Sequence, residues 1–300
     1  MRSFALVSFA LVAGCAVDAT VGEIDRCALG IHADDLASLE TAIARPFDLV
    51  RYYHDWNDAF PTADEQASGH GIILSFSGKN GSSPISFARV ANPDDAEVSA
   101  ELAAMAARVR AYGRPIFLVY HDEANNDSAY GSPEEYVAAF RRIVGTFRAA
   151  GATNARWVWS LSSSAFPTAA DAWYPGDDVV DYIGATGFNW FMGTDTPWRT
   201  FAGVFASFFE WSLAHPKPLA IVSTSTGENP NTTADAPKSK ATWFREANDT
   251  IASEPRLQLV VWYSNGSDDL VYKDWRIDSS PNALAAFAQL AADPHFDITP

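Results

Sequence analysis

Three short stretches gather the side chains that could do chemistry, and each follows an apolar run. One reads Tyr53, His54, Asp55, Trp56; the next reads His121, Asp122, Glu123, Ala124, Asn125, Asn126; the last holds Trp262, Tyr263 and Asn265. Carboxyl groups beside indole and phenol rings suit cleavage of a glycosidic bond. That reaction needs one carboxyl to protonate the leaving oxygen and another to attack the sugar or activate water. Glu123 supplies one. Metal chemistry fits less well, because the six His show no HxxxH or HxH spacing. Neither a metal nor any other cofactor is expected. A serine nucleophile is conceivable at Ser223, which closes an apolar run, but no GxSxG elbow surrounds it.

Eight apolar runs of strand type recur along the chain: Cys27 to His32, Leu49 to His54, Gly71 to Ser77, Pro115 to His121, Arg156 to Leu161, Val179 to Ala185, Leu219 to Ser223 and Leu257 to Tyr263. Runs such as IFLVY and LQLVVWY are apolar throughout, as strands covered on both faces must be, which implies parallel pairing. Between them lie helical patterns. Ser132, Pro133 and Glu135 form a capping box ahead of Tyr136, Val137, Phe140, Ile143, Val144 and Phe147. Val98, Leu102, Met105 and Val109 repeat the spacing, as do Phe201, Val204, Phe205, Phe208 and Trp211. Eight such units predict an α/β fold of the (β/α)8 TIM-barrel type in a single domain, with the active site at the C-terminal strand ends. An open doubly wound sheet is the competing arrangement, but the first run continues as GIHADD, without a glycine-rich phosphate loop.

The chain has 300 residues with 21 Lys and Arg against 37 Asp and Glu, a net charge of -16, which repels nucleic acid and anionic headgroups and favours a neutral partner. Ten Trp, ten Tyr and nineteen Phe provide faces on which neutral sugars stack. The opening MRSFALVSFALVAGC carries Arg2 and an apolar run from Phe4 to Ala13 too short to span a bilayer, the pattern of a signal peptide. Its LVAGC end resembles a bacterial lipobox. This predicts a signal peptide over residues 1–14, lipidation of Cys15, a tether over 15–25 and the barrel over 26–300. Ordinary cleavage near Ala16 to Ala19, giving a secreted protein, is the alternative. With Cys15 acylated, Cys27 is left as a buried thiol. The expected product is an exported monomer, at the cell surface or in the periplasm, that meets the membrane only through its lipid.

From about Leu49 to Phe296 the sequence resembles glycoside hydrolase family 26 and related exported bacterial proteins, which include β-mannanases. The segments that carry the resemblance are VRYYHDW, PIFLVYHDEANND, TNARWVWSL, YPGDDVVDYIGATGFNW, KPLAIVSTST, KATWF and DWRIDSSPNALAAF. It implies a hydrolase of a β-linked polysaccharide. Counting from Pro115 puts Glu123 at the family's general acid/base, with Asp122 in the position of its His; a register one residue earlier would put Asp122 at the acid/base. The family's nucleophile is a Glu on the seventh strand, and counting from Pro218 puts Ser223 there. Likewise Thr186 stands where the family often has Asp before Gly-Tyr-Asn. If the chain cleaves glycans, Glu228 or Asp55 is expected to provide the second carboxylate, with Asp269 also within reach of the strand ends. If it does not, it is a sugar-binding lipoprotein. In both cases Trp56, Trp190 and Trp262 are expected as a sugar platform, with His54, His121, Asp122, Asn125, Asn189, Ser223 and Tyr263 around the substrate.

Overall fold

The computed structural model describes residues 26–80, 83–191, 196–233, 235–266 and 273–296. Eight parallel strands close into a barrel in sequence order: β1 (Ala28–Ala33), β2 (Leu49–His54), β3 (Gly71–Phe76), β4 (Ile116–Tyr120), β5 (Ala155–Ser162), β6 (Tyr182–Asn189), β7 (Leu219–Thr226) and β8 (Leu257–Ser264). Helices cover the outside: α1 (Leu36–Ile43), α2 (Ala63–Ala67), α3 (Phe87–Ala91), α4 (Ala96–Tyr112), α5 (Pro133–Ala149), α6 (Ala170–Trp173), α7 (Phe201–Ser212), α8 (Lys240–Ser253) and α9 (Pro281–Ala291). The α5 capping box forms, with Ser132 accepting from the Glu135 N–H and the Glu135 side chain accepting from the Ser132 N–H. No described helix is long and apolar enough to cross a membrane.

Strand parity divides the apolar side chains into two cores. Ala28, Leu49, Ile73, Val119, Val158, Tyr182, Ala220, Val222, Leu259 and Val261 fill the barrel interior. The larger cluster, including Trp157, Trp159, Trp243, Trp262 and Phe287, lies between the strands and the helical ring. A barrel core of this kind is closed to solvent, which leaves the strand ends as the place for a site.

Two strands run on beyond their apolar cores. β6 continues to Asn189 and β7 to Thr226, because Thr186, Gly187, Phe188 and Asn189 pair with Ser223, Thr224, Ser225 and Thr226. Ser223 therefore lies inside a strand rather than closing one. Pairing passes from Ala185–Ile221 directly to Thr186–Ser223, so Val222 is an extra residue on β7. Such a bulge re-aims the side chain that follows it: Val222 packs in the barrel interior and Ser223, next in sequence, reaches the cleft.

Candidate active site

The alternation of β2 sends Leu49, Arg51 and Tyr53 toward the barrel axis. Arg51 is wholly buried. Its guanidinium donates to Ser75 Oγ at 2.7 and 3.1 Å, to the Val222 carbonyl at 2.5 Å and to Asp122 Oδ2 at 2.5 Å, linking β2, β3, β7 and the end of β4. The same guanidinium lies 4.4 Å from the Tyr53 ring centre. A buried cation is tolerated only when its donors are satisfied in this way.

After Tyr120 the chain takes an irregular course. His121 and Glu123 adopt left-handed backbone conformations, with φ of 47° and 58°. Such conformations cost non-glycine residues of order 1 kcal/mol or more each, and they gather where side chains must be aimed. The turn is fixed by His121 N–H donating to the Phe76 carbonyl at 2.8 Å and Asn126 N–H to the Glu123 carbonyl at 2.8 Å. Asp122 and Glu123 both face a cleft of about 420 Å³ whose other walls are His32, Tyr53, Thr186, Phe188, Ser223 and Tyr263.

Burial, and then the neighbouring charge of Asp122, push the Glu123 carboxyl up to about 7, against a smaller opposing pull from Arg51. Near neutral pH it holds or releases a proton with equal ease, as a general acid/base must. Ser223 lies close enough to the Tyr53 phenol to draw its pKa down, against the larger effect of burial. Tyr53 keeps 44% of its surface exposed, yet withdrawal of its hydroxyl from water pushes that group up to about 12, so it stays neutral. The Thr186 hydroxyl is buried with no hydrogen-bond partner among the described residues. Aromatic rings extend the wall: His32 stacks on Tyr263 at 5.2 Å, Phe188 meets Trp275 at 5.1 Å, and Trp275 meets Trp190 at 4.9 Å.

Carboxylates of unlike environment in an aromatic-walled barrel mouth are the outline of a sugar-cleaving site. The family described as Glycosyl hydrolase family 26 matches residues 101–265. The chain belongs to this family. Endoglucanase H of Acetivibrio thermocellus is 31% identical over 274 residues, which is 85% of this chain and 28% of that protein. Beta-1,3-xylanase TXYA of a Vibrio species is 28% identical over 140 residues, 45% of this chain and 29% of that one. The chain thus spans less than a third of the length of either relative. The barrel is shared with an endo-beta-1,4-mannanase double mutant of Cellulomonas fimi (TM-score 0.65, 18% identity, 91% of this chain and 72% of that one). It is also shared with a beta-mannanase of Bacteroides ovatus (TM-score 0.63, 15% identity, 91% and 92%).

Several expected site residues of this family 26 barrel lie elsewhere. Glu228 turns away to accept from Ser279 and Ser280 Oγ, both at 2.8 Å, beside the N-terminus of α9. Asp55 ion-pairs with Lys79 at 3.7 Å outside the cleft lining. Neither faces Glu123 across the cleft, so the expected second carboxylate is not supplied by either. His54 has the outward parity of β2; its Nε2 lies 2.7 Å from Glu65 of α2, and although burial lowers its pKa, that carboxylate outweighs it and leaves the imidazole raised. Trp56 is fully buried and donates to Glu101, while Trp262 is fully buried among Trp243, Phe244 and Phe287. Neither can stack on a sugar.

Asn125 and Asn189 serve the scaffold. Asn125 Oδ1 accepts from the Ser162 N–H at 3.0 Å; buried Asn189 donates to Thr226 Oγ1 at 3.0 Å and accepts from the Arg199 N–H. His121 is buried against Phe87 and Tyr130, 3.5 Å from Asp127, and burial lowers its pKa. The structure brings together Asp122, Glu123, Ser223 and Tyr263 in the cleft, with Trp190, 49% exposed, at its edge. Cys15 and Asp269 lie outside the described residues. Cys27 is a buried free thiol, pushed well up by burial.

Sequence reasoning missed Arg51, His32, Phe188 and Trp275, and it noted Tyr53 at a strand end without placing it around the substrate. For Arg51 and Tyr53 a signal was present: they share parity with apolar Leu49, and an Arg on the inward face of a barrel strand demands a carboxylate partner. Among the described residues no group of three or more His, Cys, Asp and Glu side chains could hold a metal ion.

Proposed function

We propose that this family 26 barrel hydrolyses a β-linked polysaccharide, with Glu123 as general acid/base. The observation that carries this is the Glu123 carboxyl, held in an aromatic-walled cleft with its pKa pushed up to about 7 beside the ion-paired Asp122. The names of relatives and structural neighbours, an endoglucanase, a xylanase and mannanases, agree on β-glycans and differ in the sugar. Tyr263, His32, Phe188 and Trp190 would line the sugar path, and the unpaired Thr186 hydroxyl would meet a sugar hydroxyl.

The test is reducing-end release from mannan, xylan and mixed-linkage glucan by the mature chain and by Glu123→Gln. Release that the substitution abolishes supports the proposal; undiminished release overturns it. A second reading, glycan binding without turnover, is favoured by the neutral Ser223 on β7 and the withdrawal of Glu228 and Asp55. Retained polysaccharide binding with no release would select it.

We also propose that LVAGC directs lipidation of Cys15 and tethers the protein to a membrane. Cys15→Ala then releases it from the membrane fraction, and persistent retention would contradict the proposal.

A further inference from the structure

We propose that Asp122 is the nucleophile of this barrel, attacking the anomeric carbon while Glu123, its neighbour in the chain, protonates the leaving oxygen. The inference deepens the hydrolytic reading and rests on it. Among the described residues Asp122 and Glu123 are the carboxylates that line the cleft. Glu228 bonds Ser279 and Ser280, Asp55 pairs with Lys79 and Asp274 with Arg276, and Asp34, just past β1, acts on His32 and Tyr263 from outside that lining. The acidic pair is set apart by what holds each member. Glu123 accepts from Asn126 Nδ2 at 3.3 Å, a weak donor, whereas Asp122 is gripped by a fully buried guanidinium.

That guanidinium decides where the nucleophile stands. Arg51 donates to Asp122 Oδ2 and to the Val222 carbonyl with its two terminal nitrogens, so the Asp122 carboxylate, although it belongs to the end of β4, is drawn across the barrel mouth toward β7. Residues adjacent in sequence ordinarily diverge; here left-handed backbone on both sides of Asp122 bends the chain so that both carboxyls enter one cleft. Among the cleft-lining residues β7 offers only the hydroxyl of Ser223, beside the neutral Tyr53 of β2 and Thr186 of β6. A sugar seated against His32 and Tyr263 would therefore meet Asp122 rather than a carboxylate of β7.

The step balances without a cofactor. An oxygen of Asp122 bonds to the anomeric carbon, the bond from that carbon to the leaving oxygen breaks, and the Glu123 proton passes to that oxygen. Water then attacks the anomeric carbon, its proton returns to Glu123, and the Asp122–sugar bond breaks with its electron pair going back to the carboxylate. Arg51 stabilises the departing carboxylate through a charge-assisted hydrogen bond. The product keeps its β configuration.

The deciding experiment treats the full mature chain with 2-deoxy-2-fluoro β-glycosyl fluorides of mannobiose, cellobiose and xylobiose, followed by intact-mass and peptide analysis. A disaccharide adduct on Asp122 is the expected result; an adduct on another residue, or turnover with inverted product and no adduct, overturns the inference. In parallel, Asp122→Gly loses about 1000-fold or more in release, and added azide restores turnover as the α-glycosyl azide. Asp122→Asn, which keeps a hydrogen bond to Arg51, controls for folding, since a structural Asp122 would leave this variant active. Release that depends on Glu123 yet survives within tenfold in Asp122→Asn refutes the nucleophile and leaves the hydrolase standing. Neither turnover nor adduct in the unaltered chain refutes both.

Discussion

The ends of β4 and β7 face each other across the same cleft, and they are built in opposite ways. At β4 the backbone leaves the strand at once and passes through two left-handed residues, projecting two adjacent carboxyls. At β7 the strand continues for three residues past Ser223, every residue of it buried; Ser225 donates to the Trp275 carbonyl and Thr226 accepts from Asn189, while the Thr224 hydroxyl has no hydrogen-bond partner among the described residues. The carboxylate that follows, Glu228, is spent on the helix behind. Lys240, fully buried and lowered to about 8 by that burial, donates to the Asp274 carbonyl at 2.9 Å and carries the Glu228 charge nearby. Strain and charge thus sit on one side of the cleft, and regular hydrogen bonding on the other. The difference teaches that carboxylates reach this cleft through strained backbone rather than through a regular strand end.

The comparison breaks most sharply at Glu123. Its replacement by Gln should cost about 1000-fold in polysaccharide release, on the order of 4 kcal/mol in the barrier. Its titration gives a second handle. Activity that needs protonated Glu123 declines as pH rises through about 7. The folded value lies above the ordinary 4.5, so the favourable contribution of Glu123 to stability is complete below about 4.5 and is lost as pH rises through about 7. The melting temperature of Glu123→Gln relative to the parent should accordingly rise between pH 5 and pH 8.5. An unchanging difference would mean that the carboxyl is not held as described.

On the opposite side, effects should be smaller. Ser223→Ala removes a neutral hydroxyl from the cleft wall beside Tyr53 and should lower release by less than about tenfold, because a neutral hydrogen bond to substrate or neighbour is worth about 1 kcal/mol. A loss comparable to that of Glu123→Gln would place essential chemistry on β7 and erase the contrast. Smallest in activity is Glu228→Gln, which should leave kcat unchanged while lowering unfolding stability by about 1 kcal/mol through its bonds to Ser279 and Ser280. A denaturant midpoint and a progress curve on the same sample check both halves.

Some of this was legible in the chain. The eight strands announced themselves because a strand covered on both faces must be apolar throughout, and β2 matches its expected span residue for residue. The α5 capping box was equally local and equally visible. Trp56 and Trp262 were misread as a sugar platform because both stand beside polar strand ends, and proximity in sequence does not state which face a side chain takes. In β8 Val261 points into the barrel and Tyr263 into the cleft, while Trp262 between them goes to the helices.

What the sequence by itself determined was the barrel and the acidic turn after β4, since both follow from short-range pattern: apolar runs at repeated intervals and a contiguous HDEANN. Only the tertiary structure decided the partners of those acids. The Val222 bulge that aims Ser223 opposite Thr186, the reach of Arg51 from β2 to Asp122, and the retreat of Glu228 to Ser279 and Ser280 join residues 37, 71 and 51 positions or more apart. Such contacts are fixed by closure of the barrel, because only a closed ring brings the ends of β2, β4 and β7 around one axis, and no local pattern encodes that meeting.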